Sequence, residues 1–241
     1  MLRALILATL LPAGGEAGQL CEPLKHGGRG YTVCEVAPQD LRLFQADADG
    51  APWGHFSRLD MALRARGQRL ALAMNGGMYH DDRSPVGHYV EDGREITPLV
   101  VGPGPGNFGL LPNGVLCLDG AAARIVETSR FAEARPDCRH ATQSGPMLVL
   151  DGELHPRFLP DSDSRFVRNG VGVRGDGRVA LAISDEPVTF HEFGTLFRDA
   201  LDTRDALYLD GAVSRLWAPG IGRRDFGRAM GPILGVVAAA Q

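Results

Sequence analysis

FGLLPNGVLCLDGAAARIV, residues 108–126, decides the fold class: short β-prone runs are punctuated by Asn113-Gly114 and Asp119-Gly120. Asn-Gly and Asp-Gly supply the positive φ angles that tight hairpins demand, so the stretch reads as a meander of antiparallel strands. The same grammar recurs outward along the chain. HYVEDGREITPL (88–99) turns on Asp92 and Gly93, PMLVLDGEL (146–154) reads as a strand and turn, and VGVRGDGRVALAIS (171–184) makes a further hairpin. YTVCEVA (31–37) and LRLFQA (41–46) predict another, joined through Pro38, Gln39 and Asp40. Two helices interrupt this pattern. The first is predicted to start at an N-cap on Ser57, with Asp60 three residues on and Leu59, Ala62 and Leu63 on one face, and to stop at Gly67. The second is FGTLFRDALD, 193–202, with Leu196, Phe197, Ala200 and Leu201 on one side. PILGVVAAA (232–240), too short for a membrane span, reads as a closing central strand. The expected fold is α+β: one domain with a large, mostly antiparallel or mixed β-sheet and a few flanking helices.

Composition agrees with this and narrows the partners. The chain has 241 residues, 44% of them hydrophobic, which is enough for a full core. Its 32 glycines and 16 prolines favour many strands joined by tight turns. The net charge is −4, and arginine greatly outnumbers lysine without forming a tract, so no nucleic-acid partner is expected. One anionic group remains within reach of such a chain.

Residues 1–17 read as an export signal, with Arg3, an apolar stretch from Ala4 to Leu11, then Pro12 and small residues up to Ala17. The working domain is then 18–241, with a periplasmic or secreted location and no membrane span after cleavage. Lipid attachment at Cys21 is rejected because Leu20 stands where a small residue is required. Cys21, Cys34, Cys117 and Cys138 all follow the cleavage point, and an even number in an exported chain argues for two disulfides. Three pairings are open; Cys21–Cys34 with Cys117–Cys138 is preferred because it ties the new N-terminus to a strand and closes a short loop.

The chemistry is expected at two strand exits. RLALAMNGG (69–77) and ALYLDGAVS (206–214) each stop on a polar side chain followed by glycine, which presents Asn75 and Asp210 at the end of a rigid strand. Both residues also suit ordinary hairpin turns, and spacing alone leaves the two readings open. Other motifs fall away. GVGVRG (170–175) has dinucleotide-loop spacing, but Asp176-Gly177 turns into a strand where that motif needs a helix. Asp161, Asp163 and Ser164 resemble the start of a calcium loop, but Phe166 replaces the turn glycine. Ser144 in TQSGP lacks the nucleophile-elbow pattern, although its backbone can line a pocket. His80 and His88 read as solvated loop residues or as substrate contacts. Arg168 reads as a surface ion pair or as an anion clamp.

MNGGMY (74–79), P-x-G (85–87), QSGPML (143–148), RNGVGV followed by DGRVALAIS, and the helix-to-LDG unit ending near Ser214 follow one another in a telling order. In that order, over roughly residues 30–238, the chain resembles the phosphodiester glycosidase family, which includes the uncovering enzyme of the mannose 6-phosphate pathway and short exported bacterial proteins. The resemblance departs where Met78-Tyr79 replaces a Phe pair and where Ala212-Val213 replaces glycines after Asp210. It implies cleavage of the glycosidic C1–O bond of a sugar-1-phosphodiester through an oxocarbenium-like transition state. Asp210 is then the candidate carboxylate and Arg168 the phosphate clamp. Asn75, Gly76, Gly77, Ser144, Gly145, Asn169, Gly211 and Ser214 become the substrate-binding set, and Glu91, Asp185 and Glu186 weaker acid–base candidates. No cofactor is implied, the metal question stays open, and the partner is a carbohydrate or sugar phosphate. The rival reading is a noncatalytic glycan-binding or envelope polysaccharide assembly module with a degenerate site. A third, serine hydrolysis at Ser144, would require covalent labelling by a fluorophosphonate.

Overall fold

The computed structural model describes residues 20–104, 106–210 and 213–240; the predicted export signal and Gly211 lie outside them. The described strands, numbered in chain order, form three sheets. The first has seven strands in the order β1 (Cys21–His26), β2 (Arg29–Val36), β13 (Val179–Ser184), β12 (Asn169–Arg174), β14 (Thr203–Asp210), β10 (Met147–Leu150) and β11 (Glu153–Leu154). The second has five, ordered β16 (Arg223–Arg224), β15 (Leu216–Ala218), β4 (Gln68–Asn75), β17 (Ile233–Ala239) and β3 (Leu41–Phe44). The third runs β6 (Arg94–Thr97), β5 (Tyr89–Glu91), β9 (His140–Ser144), β7 (Gly114–Leu118) and β8 (Ala123–Glu127). The pairings are antiparallel throughout, as the repeated hairpins predict.

Strand alternation explains how three sheets share one interior. Val179, Leu181 and Ile183 of β13 point into a common core with Leu72, Met74 and Leu234 of the second sheet and Leu116 and Leu118 of the third. Ala180 and Ala182, one residue out of phase, face the other way. Each outer face is then covered by one helix. Phe193, Leu196 and Phe197, from α3 (Phe190–Thr195) and the π turn after it, cover the first sheet. Phe56, Leu59 and Leu63 of α1 (Phe56–Arg64) cover the second, and Phe131 of α2 (Thr128–Ala134) covers the third. Each such side chain, fully buried, contributes about 1.5–3 kcal/mol. The α+β class stands, with the expected large sheet resolved into three.

Four local expectations are corrected. β2 and β3 do not form a hairpin: both neighbours of β2 are taken by β1 and β13, and Pro38–Asp40 is a 3-10 turn that carries the chain into the second sheet. Asn113-Gly114 is not a turn, because Gly114 opens β7 and pairs with both Glu127 and Ser144. The buried Asn113 side chain instead donates to Phe108 O at 3.0 Å and accepts from Thr128 at 2.7 Å. His55, not Ser57, occupies the N-cap of α1, and the Asp60 carboxylate accepts the Leu70 N–H at 2.8 Å, tying helix to strand. α3 starts three residues earlier than predicted because Thr189 and Glu192 form a capping box. The disulfides are the preferred pair, Cys21–Cys34 and Cys117–Cys138. The predicted closing strand is β17, central between β4 and β3.

Candidate active site

Asn75 ends β4 in the second sheet, and Asp210 ends β14 in the first. Asn169, the first residue of β12, joins them. Its Oδ1 accepts from Asn75 Nδ2 at 3.1 Å and from the Asp210 N–H at 3.2 Å, and its Nδ2 donates to Asn75 O at 3.1 Å. Ser214 Oγ lies 3.2 Å from the same Oδ1 and donates to Asp210 O at 2.6 Å. Asn75 Oδ1 accepts the Arg215 N–H at 2.9 Å. Residues about a hundred positions apart are thus joined by hydrogen bonds between two sheets, a meeting that two independent turns would not produce. Asn75 and Asn169 are fully buried, where such amides require partners.

The approach of Asp210 depends on a bulge. β14 pairs Tyr208 with Gly170 but Asp210 with Asn169, so Leu209 is an extra residue on its strand. Bulges re-aim the side chains that follow them. The Leu209 carbonyl accepts the Ser144 hydroxyl at 2.8 Å. Ser144 is therefore buried and committed to the scaffold, and Gly145 follows it where a Cβ would meet the side chain of Asn113. Gly76 and Gly77 are packing glycines at the exit of β4. A Cβ on Gly76 would lie 2.9 Å from Leu234 N, and one on Gly77 2.6 Å from Thr142 Oγ1. The Gly76 N–H already donates to Pro232 O at 2.7 Å.

Asp210 borders a cleft of about 650 Å³ whose walls include Tyr79, His80, Asp81, Arg83, Asn107 and Arg228. Asp210 as a whole residue is only 6% exposed. Burial and the Asp210 charge push the Tyr79 phenol up, while Arg83, Arg215 and Arg228 act on it in the opposite sense. The Arg83 guanidinium sits 5.3 Å over the Tyr79 ring, and Arg83 holds a left-handed φ of 75°. For a non-glycine residue that conformation is uncommon and clusters at functional sites. Three arginines thus act on the Tyr79 phenol, and two of them, Arg83 and Arg228, line the cleft with Asp210.

Arg168 does not line that cleft, although its partner Tyr208 feels both its charge and that of Asp210. It is 1% exposed, on the outer face of the first sheet. Its guanidinium donates to Val188 O at 2.9 Å, Ser164 O at 3.1 Å and the Tyr208 hydroxyl at 3.4 Å, and stacks 3.7 Å from the Phe190 ring. Desolvation lowers its pKa, as for any cation in an apolar setting. The weaker acid–base candidates also sit outside the cleft. Asp185 accepts from Thr32 and Arg223, and Glu186 from the Gly30 N–H. Glu91, pushed up to about 6 by burial, accepts from the Gln45 N–H. His80 lines the cleft, whereas His88 is buried beside Thr97 O and Glu95. Among the described residues no cluster of His, Cys, Asp or Glu suits a metal ion. Sequence reading missed Arg83, Arg215, Arg228 and Asn107. Arg215 alone had a local signal, standing next to Ser214.

The comparisons agree with this architecture. The family described as phosphodiester glycosidase matches residues 68–237. Over 220 residues, covering 90% of this chain and 85% of the relative, the chain is 32% identical to the Escherichia coli K12 protein described as "Uncharacterized protein YigE". Among solved structures it is similar to the catalytic domain of zebrafish N-acetylglucosamine-1-phosphodiester alpha-N-acetylglucosaminidase, auto-inhibited by its pro-peptide (TM-score 0.62, 12% identity, 90% of this chain and 81% of that one). A hypothetical protein from Synechocystis (TM-score 0.59, 13% identity, 90% and 61% covered) and a putative exported protein from Burkholderia pseudomallei K96243 (0.58, 13%, 86% and 74%) share the fold.

Proposed function

The chain belongs to the phosphodiester glycosidase family, and from that premise we propose that it hydrolyses the glycosidic C1–O bond of a sugar-1-phosphodiester, with Asp210 at the anomeric carbon. One observation carries the reading: Asp210, a nearly buried acidic residue, borders a cleft whose wall also bears Arg83 and Arg228. A carboxylate in that position stabilises an oxocarbenium-like centre, as nucleophile or as fixed charge. The departing phosphate monoester is already a stable anion, so nearby cations serve it better than a strong acid does. Arg83 and Arg228 take the clamp role that sequence reading gave to Arg168. Asn169, Asn75 and Ser214 act by holding the Asp210 backbone in place.

The name of the zebrafish enzyme makes N-acetylglucosamine-1-phosphodiesters the first substrates to try. The two disulfides and the predicted export signal favour an oxidising, extracytoplasmic compartment, periplasmic or secreted, where sugar phosphodiesters of envelope polysaccharides are the available substrates. Purified protein is expected to release a reducing sugar from such a diester. Asp210→Asn should lower kcat by about a thousandfold or more, in line with loss of a group acting only on the transition state, with little change in Tm. Full activity in that variant would remove Asp210 from the mechanism. Val213, in place of a family glycine, narrows the same cleft and favours one alternative, glycan binding without turnover. Saturable binding of the diesters with no sugar released would establish it.

A further inference from the structure

A cavity of about 450 Å³ is bounded by α2 and the β5–β6 hairpin on the third sheet, and it shares no lining residue with the Asp210 cleft. Its interior is apolar, built from Val90, Leu99 and Phe131 of one hydrophobic cluster. One polar ring interrupts that surface. His88 lines the cavity, is 7% exposed, and sits with its ring 5.4 Å from that of Phe131. Its Nδ1 lies 3.2 Å from Thr97 O, an atom that can only accept, so Nδ1 carries the proton. Burial lowers the pKa of this imidazole and favours its neutral form, although Glu95 at 3.4 Å acts the other way. Nε2 is then a lone-pair acceptor. Among the described residues nothing donates to it. Unlike His140 Nε2 and His155 Nε2, which are sealed in the interior without partners, His88 Nε2 keeps access to open space, and the space its residue lines is this cavity.

We propose that the cavity binds a small uncharged aromatic molecule carrying one hydroxyl, with its ring against Phe131 and Leu99 and its hydroxyl donating to His88 Nε2. Volume and lining both fit, since small-molecule sites of about 300–1,000 Å³ are mostly apolar with a few placed polar groups. The walls stand ready without a ligand. Cys138 is tied to β7 by its disulfide with Cys117, the Gly93 N–H donates to Arg139 O at 2.7 Å, and Arg135 closes α2 in a left-handed conformation with φ 41°. The exposed rim carries both signs, Glu95 and Asp137 against Arg135, and so gives a charged ligand no field of one sign. A sugar fits less well, because one acceptor serves one hydroxyl and the others would lose water without a partner.

The test titrates phenol, toluene and N-acetylglucosamine into the purified protein and follows backbone amide shifts by two-dimensional NMR. Phenol is expected to bind saturably, to move the amides of Val90, Leu99 and Phe131, and to bind about tenfold more tightly than toluene. His88→Phe keeps a ring beside Phe131 but lacks the acceptor, and should bring phenol down to the level of toluene. Ala132→Leu leaves His88 intact and fills the cavity from α2, so both ligands should weaken by about tenfold. Four results would overturn the proposal: no saturable shift with phenol, toluene binding as tightly as phenol, a preference for phenol that survives His88→Phe, or tighter binding of N-acetylglucosamine at the same amides. Should His88→Phe not fold, Ala132→Leu decides alone, and unchanged phenol affinity in that variant overturns the assignment.

Discussion

Arg168 shows how far a residue's chemistry is from its position. A guanidinium next to Asn169 is well suited by type to clamp a phosphate, yet three of its five N–H donors go to Val188 O, Ser164 O and Tyr208 within a ring of aromatics. Arg168→Lys keeps the charge but loses most of those bonds and the planar stack. Urea denaturation should therefore show about 2–4 kcal/mol less stability, with KM for a phosphodiester unchanged. A higher KM at unaltered stability would return Arg168 to the clamp role. Asn75 and Asp210 were legible as strand-end residues because apolar runs stop on them. Asn169, which joins the two, was legible only through family resemblance, since nothing in RNGVGV says that its amide faces a second sheet.

At the scale of elements, hairpins carried by Asp-Gly turns were readable because such a turn fixes its own geometry. Asp92-Gly93 and Asp151-Gly152 both hold the positive φ pair that the dipeptide prefers. Elements whose fate depends on a partner were not. β2 and β3 each look like half of a hairpin, but β13 had already claimed the edge that β3 would use. The exit of β4 is likewise set by its neighbour β17. Gly76→Ala would place a Cβ 2.9 Å from Leu234 N and 3.1 Å from the Ile233 carbonyl carbon, both backbone atoms that cannot swing away. Thermal or urea unfolding should register a loss of about 1–3 kcal/mol. The same variant should weaken any Asp210-dependent activity, because Asn75 hangs from that strand end.

Over the whole molecule, three sheets share one core and each carries its own helical cover, while the two disulfides lie in the first and third sheets. Each bond closes a short loop, of sequence separation 13 and 21, and should contribute about 3 kcal/mol by restricting the unfolded chain. Reduction under native conditions is expected to lower Tm by about 10–20 °C in a thermal melt; an unchanged Tm would place the stability elsewhere. The sequence alone determined the fold class, the hairpins carried by Asp-Gly turns and the strand ends at Asn75 and Asp210, because turn dipeptides and side-chain alternation act over a few residues, whereas cysteine parity argued for two disulfides and left their partners open. Tertiary structure alone decided that the strands divide into three sheets, that the Arg168 guanidinium packs among Phe166, Phe190 and Tyr208, and that Arg83 and Arg228 line one cleft with Asp210. Those outcomes depend on which faces and edges meet across long stretches of chain, and local side-chain preferences do not encode them.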